Sequence, residues 1–176
     1  SSADFCQLTL DPNTANTHLY LSEDNMKVTW SEEEQKHPDH PDRFDCWYQV
    51  LCVESVSGRC YWEVQWTGNG AEIGVTYKGI RRKGNSDDCG LGFSNKSWVL
   101  FCSDKSYYVS HNKIHTEIPV PPPSHRVGVC VDCMSGTLSF YSVSSGELTH
   151  LYSFTSTFTE PLYPAFWVGS TSSVSL

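Results

Sequence analysis

Two cysteines in the C-terminal half have the spacing of a metal or redox site. Cys130 and Cys133 form a Cys-x-x-Cys pair, which is half of a zinc site or a dithiol couple. In a strand, residues three apart point to opposite faces, so the two thiols diverge unless a turn begins at Cys133. No second Cys-x-x-Cys or paired histidines follow, and no βαβ pattern surrounds the pair. The spacing therefore favours neither zinc binding nor redox exchange.

A second candidate for chemistry is the segment HPDHPDRFD at 37–45. Its possible metal ligands are His37, Asp39, His40 and Asp42. The prolines between them favour an extended backbone, which spreads ligands along a line instead of converging them on one point. We therefore expect a structured surface loop, with no metal and no other cofactor.

Acid–base and nucleophilic chemistry lack their usual frames. The sequence contains no Gly-x-Ser-x-Gly elbow and no glycine-rich phosphate loop, so we expect the domain not to be an enzyme. The lone carboxylate of the stretch GRCYWEVQW is Glu63. Alternation places Cys60, Trp62, Val64 and Trp66 on one face and Glu63 on the other. We predict a half-buried strand whose glutamate is solvated or paired across strands.

The elements that must position any site are short strands separated by turn residues. The predicted strands are His18–Leu21, Lys27–Trp30, Tyr48–Val53, Cys60–Trp66, Glu72–Tyr77, Trp98–Cys102, Tyr107–Ser110, Arg126–Asp132, Thr137–Val143, Leu148–Phe154 and Leu162–Val168. Met134-Ser135-Gly136 predicts the turn of a hairpin. Short helical turns are predicted near Ala3–Gln7 and Ser31–Lys36. This density of strands predicts an all-β antiparallel sandwich or barrel.

Length, charge and cysteine content bound the class of protein. The 176 residues suggest one domain with a sizeable core. A net charge of −8 argues against nucleic acid and anionic membranes as partners, and no apolar run is long enough to span a bilayer. The eight cysteines are expected to be reduced thiols, because a chain this rich in core aromatics does not need a disulfide framework. Asn95-Lys96-Ser97 is a glycosylation sequon that matters only in a secreted protein.

What remains for function is recognition by aromatic and charged residues between the strands. Tyr, Trp and Arg dominate the energy of protein interfaces. The candidates of this kind are Trp47, Tyr48, Tyr77, Arg81, Tyr107, Tyr108, His111 and Trp167. About half of them are expected to pack under their own loops instead.

Several motifs resemble the PRY–SPRY family. LTLDPNTANTHLYLSED at 8–24 is similar to the opening PRY motif, and RFDCWYQVLCVESVSGRCYWEVQW at 43–66 resembles the PRY–SPRY junction with its Trp-Glu-Val. VGVCVDCMSGTLSFY at 127–141 resembles the third motif, with only Asp132 kept of its usual Leu-Asp-Tyr-Glu. EPLYPAF at 160–166 is similar to the closing strand. In their individual residues, these motifs resemble the fish branch of the family, which comprises tripartite-motif ubiquitin ligases, NOD-like receptors and stonefish-type toxins.

The resemblance implies a fold and a site. The fold is a bent antiparallel two-sheet β-sandwich of concanavalin-like jelly-roll type, with a PRY segment at 1–52 and a SPRY segment at 53–176 in one compact domain. The binding surface lies on variable loops and uses an acidic residue, here Glu72, and an aromatic residue, here Phe101. The next aromatic position is occupied by Ser103. The full set of predicted partner-binding residues is Asp45, Trp47, Tyr48, Glu72, Tyr77, Arg81, Phe101, Ser103, Tyr107, His111 and Trp167.

The resemblance also implies a role. It predicts a cytoplasmic protein-interaction module at the C-terminus of a tripartite-motif E3 ubiquitin ligase in innate immunity. It also implies that the ligand is a protein, that the domain does not insert into membranes, and that oligomerisation uses segments outside residues 1–176. The alternatives are the same domain in a secreted stonefish-type pore-forming toxin or in a fish NOD-like receptor.

Overall fold

The computed structural model of this protein describes residues 4–176, and within that range nearly all regular structure is β-strand. The strands are β1 (Leu19–Ser22), β2 (Lys27–Trp30), β3 (Gln49–Leu51), β4 (Arg59–Thr67), β5 (Ala71–Tyr77), β6 (Ser97–Cys102), β7 (Tyr107–His111), β8 (Ile114–Ile118), β9 (Arg126–Asp132), β10 (Thr137–Ser144), β11 (Glu147–Thr155), β12 (Leu162–Val168) and β13 (Ser173–Ser175). They form a seven-stranded sheet of order β1-β2-β13-β4-β9-β10-β11 and a six-stranded sheet of order β3-β12-β5-β6-β7-β8. Every pairing between named strands is antiparallel, which confirms the predicted two-sheet fold.

The inner faces of the two sheets build the main core. In β4, Trp62, Val64 and Trp66 alternate inward and are each at most 3% exposed. In β5 and β6, Ile73 and Leu100 fill the opposite wall. Burying large aromatic side chains in this layer removes much apolar surface from water and supplies most of the stabilisation.

Glu63 points away from that core, as its place in β4 predicts. It accepts hydrogen bonds from the Tyr61 hydroxyl at 2.7 Å and from Arg126 Nε at 2.8 Å. Burial acts to raise its pKa, but the two donors outweigh this and hold the pKa below its usual value. Glu63 is thus a cross-strand paired carboxylate with its acceptor sites in use.

Each of the eleven predicted strands overlaps a strand of the structure, and the Met134–Gly136 turn joins β9 to β10. Two strands were not predicted. β8 is an edge strand whose residues are mostly exposed, so burial imposes no apolar pattern on it. β13 is short and serine-rich, and pairing between β2 and β4 holds it in place.

The predicted helical turns are not where the sequence placed them. Residues 4–7 form no helical turn and contain an isolated bridge between Phe5 and Tyr61, and residues 31–36 are irregular. Ala3 lies outside the described residues. The one helical segment among residues 4–176 is a 3-10 turn at Asp87–Cys89.

The N-terminal arm contradicts the expectation of eight reduced thiols. Cys6 and Cys60 form a disulfide, with their Cα atoms 5.7 Å apart and a sequence separation of 54. The arm reaches β4 because Cys6 N donates to the Tyr61 carbonyl and Tyr61 N to the Asp4 carbonyl. The remaining six cysteines are free. Parity placed Cys60 correctly in the core but could not show that a distant thiol meets it there.

A second, smaller core lies on the outer face of the six-stranded sheet. Loop residues Phe44, Ile80 and Leu91 pack there over small or branched strand residues. Its members on the strands are Leu51, Val99 and Ala165. This loop layer covers one part of the outer face and leaves the part next to it open.

Candidate functional site

The open part of that face carries a row of aromatic rings around one carboxylate. Register places Trp167 of β12 and Phe101 of β6 on either side of Glu72 in β5. Tyr108 of β7 follows as the neighbour of Phe101, and the two rings stack with centroids 4.6 Å apart. All three rings are partly exposed. Period-two alternation turns these four side chains outward while their chain neighbours face the core.

Glu72 itself is nearly enclosed. Its side chain has no hydrogen bond or ion pair among residues 4–176, although the residue is only 8% exposed. Burial disfavours the charged form and raises the pKa of Glu72 to about 8. The Tyr108 hydroxyl also has a raised pKa, first because of burial and second because of the Glu72 charge, so the two groups are near neighbours.

Gln49, on the same face, is a buried polar residue whose side chain is hydrogen-bonded at both its nitrogen and its oxygen. It pairs in register with Trp167 and is fully buried. Its side chain donates to the Cys89 carbonyl at 2.7 Å and accepts from Leu91 N at 2.8 Å. Gln49 therefore ties the loop layer to the sheet, whereas Glu72 has acceptor sites left over.

Further rings continue the row across the loops. Tyr108 contacts His115 at 5.4 Å between centroids, His115 contacts Phe93 at 5.4 Å, and Phe93 contacts Trp47 at 5.8 Å. The Trp47 indole donates to the Ser86 carbonyl at 3.3 Å. We call the set Trp47, Glu72, Phe93, Phe101, Tyr108, His115 and Trp167 the Glu72 surface.

A buried arginine helps to fix the loop that carries Trp47. Arg43 is 4% exposed, and its guanidinium donates to the carbonyls of Pro12, Ala15 and Pro38. These bonds join the 37–45 segment to the N-terminal loop. The HPDHPDRFD stretch is thus a surface loop held by its arginine.

Four of the predicted contact residues come together on the Glu72 surface. They are Trp47, Glu72, Phe101 and Trp167. Tyr107 requires a correction: it is 5% exposed and faces the core between the sheets, because it has the opposite parity to Tyr108 in β7. Ser103 is also buried, and its hydroxyl accepts from the backbone N–H of Lys105 and Ser106 to close a turn.

The other predicted contact residues lie away from this row. Tyr77 and His111 pack on Trp98, with the His111 ring stacked on the indole at 4.6 Å. Tyr48 contacts His18 and Trp30. The last two, Asp45 and Arg81, are exposed on the loops.

Those two loop residues are Asp45 and Arg81. Asp45 accepts from Gly84 N at 2.7 Å, which ties together the two loops that carry these residues. Arg81 lines a depression with Asp88 and Asn95.

Sequence reasoning missed Phe93 and His115. Phe93 lies in an irregular turn after Gly92, and His115 lies in β8, which was not predicted. Had β8 been identified, its register with β7 would have placed His115 and Glu117 beside Ser110 and Tyr108 on the outer face.

Three of the residues that first suggested metal or redox chemistry have other places in the fold. Cys130 belongs to β9, while the Cys133 thiol lies 3.8 Å from the Val56 carbonyl. His37 Nε2 is 2.9 Å from the Leu19 carbonyl. Among residues 4–176, no three His, Cys, Asp or Glu side chains are grouped so as to hold a metal ion. No helix in that range has the length and apolar character needed to cross a bilayer.

Comparison with known proteins finds two matching family models in tandem. Residues 8–56 match PRY, described as the SPRY-associated domain, and residues 59–176 match the SPRY domain. The structure is similar to the crystal structure of the TRIM65 PSpry domain, with a TM-score of 0.89 and 31% identity. That match covers 98% of this chain and 90% of the other.

Two curated relatives come from different kinds of protein. Stonustoxin subunit beta of Synanceia horrida is 45% identical over 166 residues, covering 93% of this chain and 23% of the toxin subunit. Tripartite motif-containing protein 16 of Mus musculus is 39% identical over 165 residues, covering 93% of this chain and 30% of that protein. The chain therefore spans less than a third of the length of either relative.

Proposed function

Since this chain belongs to the family of SPRY domains that carry a PRY segment, we propose that it recognises a protein ligand through the Glu72 surface. Domains of this family are protein-interaction modules and not catalysts.

One observation carries the choice of surface. The rings of Trp167, Phe101 and Tyr108 lie side by side on a rigid sheet, partly exposed, around a carboxylate that has no partner among the described residues. Large rigid rings bury much area in a complex at little entropic expense. Their strands also hold the rings in place before a ligand binds, which reduces the conformational entropy lost on binding.

For the parent protein, we propose a tripartite-motif E3 ubiquitin ligase of innate immunity, acting in the cytoplasm. In that setting the domain selects the target and other segments supply ligase activity and oligomerisation. The similarity to tripartite motif-containing protein 16 and to the TRIM65 domain supports this assignment.

The disulfide favours a second candidate, a secreted toxin subunit of the stonustoxin type. Disulfides such as Cys6–Cys60 persist in oxidising compartments and are rare in the cytosol. The sequon residue Asn95 is exposed, and the identity to stonustoxin subunit beta supports the same choice. In this setting the same surface would engage a partner subunit or a cell-surface protein.

The test of the proposed surface is a binding measurement on a purified partner. The domain is first used to capture and identify a ligand, and the dissociation constant is then measured by calorimetry for the wild type, Trp47→Ala and Phe101→Ala. We expect each substitution to weaken binding by about 1–3 kcal/mol, because each truncates a ring in the contact. The melting temperature should change little, since both rings are partly exposed.

Tyr20→Ala is the matched control. Tyr20 is a 51% exposed aromatic residue on β1, in the other sheet. Its substitution should leave the affinity unchanged within about twofold. Unaltered affinity in both Trp47→Ala and Phe101→Ala would rule out the Glu72 surface as the contact.

A further inference from the structure

Glu72 is the one acidic side chain of the six-stranded sheet that register places between two aromatic rings. It is more than nine-tenths buried, and no hydrogen-bond donor among residues 4–176 reaches its carboxylate. A largely buried carboxylate that no protein donor satisfies has acceptor capacity that the donor of a ligand can use. Gln49, on the same face, shows that the fold satisfies buried polar groups when their role is structural.

The walls around Glu72 are suited to positive charge. The π faces of Phe101, Tyr108 and Trp167 carry negative potential and attract Lys and Arg side chains placed over them. The rings of Phe101 and Tyr108 lie nearly parallel, with 11° between their planes. The centroid of the Trp167 ring lies 6.4 Å from that of the Phe101 ring. A guanidinium group stacks well on rings arranged in this way.

Among residues 4–176, no Lys or Arg side chain pairs with Glu72. Lys113 Nζ lies 3.4 Å from Asp87 Oδ2, and Arg126 is paired with Glu63 in the other sheet. The net charge of −8 further favours approach of a basic partner.

We propose, building on the proposed function, that the Glu72 surface takes up a lysine or arginine side chain of the bound protein. The ammonium or guanidinium group donates to the Glu72 carboxylate, and the stem packs on Phe101 and Trp167. The ligand is therefore a protein segment with an exposed basic residue.

The experiment uses small probes on the isotopically labelled domain at pH 8.5, where most of the Glu72 carboxylate is ionised. Nα-acetyl-arginine amide and Nα-acetyl-lysine amide are titrated, with Nα-acetyl-citrulline amide as the neutral analogue of arginine, and amide and indole shifts are followed by NMR. We expect at least one cationic probe to shift the Trp167 indole and Ile73 amide signals with a dissociation constant on the order of millimolar. Citrulline should bind at least fivefold more weakly.

Two carboxyl-to-amide variants separate this site from general electrostatics. Glu72→Gln should weaken the cationic probe at least fivefold. Glu117→Gln, which removes an exposed carboxylate beside Tyr108, should leave affinity within twofold. Equal binding of citrulline and arginine, or undiminished binding to Glu72→Gln, overturns the proposal.

The pH dependence of the wild type gives a reading that needs no substitution of Glu72. Between pH 6.5 and 9, affinity for the arginine probe should rise about tenfold as Glu72 ionises, while citrulline should show no such rise. The other titratable groups near this position are Tyr108 and Cys102, whose raised pKa values keep both neutral here, and beyond Tyr108 lie His115 and Glu117. The series is repeated in His115→Gln, and a rise that disappears there contradicts the assignment to Glu72.

Failure of this inference is distinguishable from failure of the proposed function. If a protein ligand is lost in Phe101→Ala but kept in Glu72→Gln, the surface binds without a cation and only this inference fails. If neither substitution matters to the protein ligand, the contact lies elsewhere and the proposed function fails first.

Discussion

Two glutamates of this domain show how environment decides the role of a side chain. Glu63 and Glu72 both lie on outward faces of strands in an aromatic-rich sandwich. Tyr61 and Arg126 donate to Glu63 and lower its pKa, whereas no donor among residues 4–176 reaches Glu72 and burial raises its pKa to about 8. The first is a structural pair, and the second is the carboxylate that we propose for binding.

At the scale of the residue, Glu72 should make stability depend on pH. Its pKa is about 8 when folded and near 4.5 when unfolded, so between these values the folded state holds a proton that the unfolded chain has released. The free energy of unfolding contributed by this group is therefore fully present below pH 4.5 and is lost as the pH rises to about 8. From pH 5.5 to 8.5 the loss is on the order of 3 kcal/mol.

Denaturant unfolding of the wild type and Glu72→Gln at both pH values measures this contribution, because glutamine does not titrate. We expect the wild type to lose more stability than the variant over this range. Glu117→Gln, at an exposed carboxylate, should follow the wild type. Parallel losses in the wild type and Glu72→Gln would contradict the buried, unpaired state of Glu72.

At the scale of the element, alternation along single strands divides core from surface. In β7 the ring of Tyr107 enters the core and that of Tyr108 joins the Glu72 surface. In β5 the same alternation turns Glu72 and Gly74 outward, and Gly74 lies between Ala165 and Val99 under the loop layer. A small residue at this point lets the neighbouring strand and the loops pack closely.

Gly74→Ala should therefore destabilise the domain. A Cβ at Gly74 would meet the Trp98 carbonyl oxygen and lie 2.7 Å from Val99 Cα, both backbone atoms of β6. We expect a loss of about 1–3 kcal/mol in urea denaturation, because the strand must shift to relieve the overlap.

The matched substitution is Gly58→Ala. A Cβ there would have no atom within 4 Å and its φ is not positive, so the change should stay within about 0.5 kcal/mol. Equal stability of the two variants would show that β5 and β6 tolerate a wider separation than the structure indicates.

At the scale of the whole molecule, the Cys6–Cys60 disulfide ties the N-terminal arm to the middle of the larger sheet. A bond that spans 54 positions restricts the unfolded chain strongly. The disulfide also bears on the identity of the parent protein, because disulfides persist in oxidising compartments and are rare in the cytosol.

Reduction, or Cys6→Ser, should lower the free energy of unfolding by about 2–4 kcal/mol. Cys46→Ser, at an exposed free thiol, is the control and should be neutral within about 0.5 kcal/mol. Thiol counting by mass spectrometry on protein isolated from its natural source complements the measurement. Within residues 1–176, six free thiols with a Cys6–Cys60 peptide would favour the secreted candidate, whereas eight free thiols would favour the ligase.

The sequence alone determined the fold class and most of its strands. Period-two burial in stretches such as 60–66 and 127–131 needs only local information, since a strand that buries one face must alternate. The outward placement of Glu63 followed from the same reasoning. The motif resemblance added Glu72 and Phe101, which local patterns do not single out.

Only the tertiary structure decided which residues share a surface. Trp47, Phe93, Tyr108 and Trp167 come from four separate segments, and cross-strand register together with the loop layer brings them around Glu72. The meeting of Cys6 with Cys60, the burial of Tyr107 and the formation of β8 likewise depend on contacts between distant segments. Periodicity along one strand specifies which face a side chain takes, but it contains no information about which other strand will lie beside it.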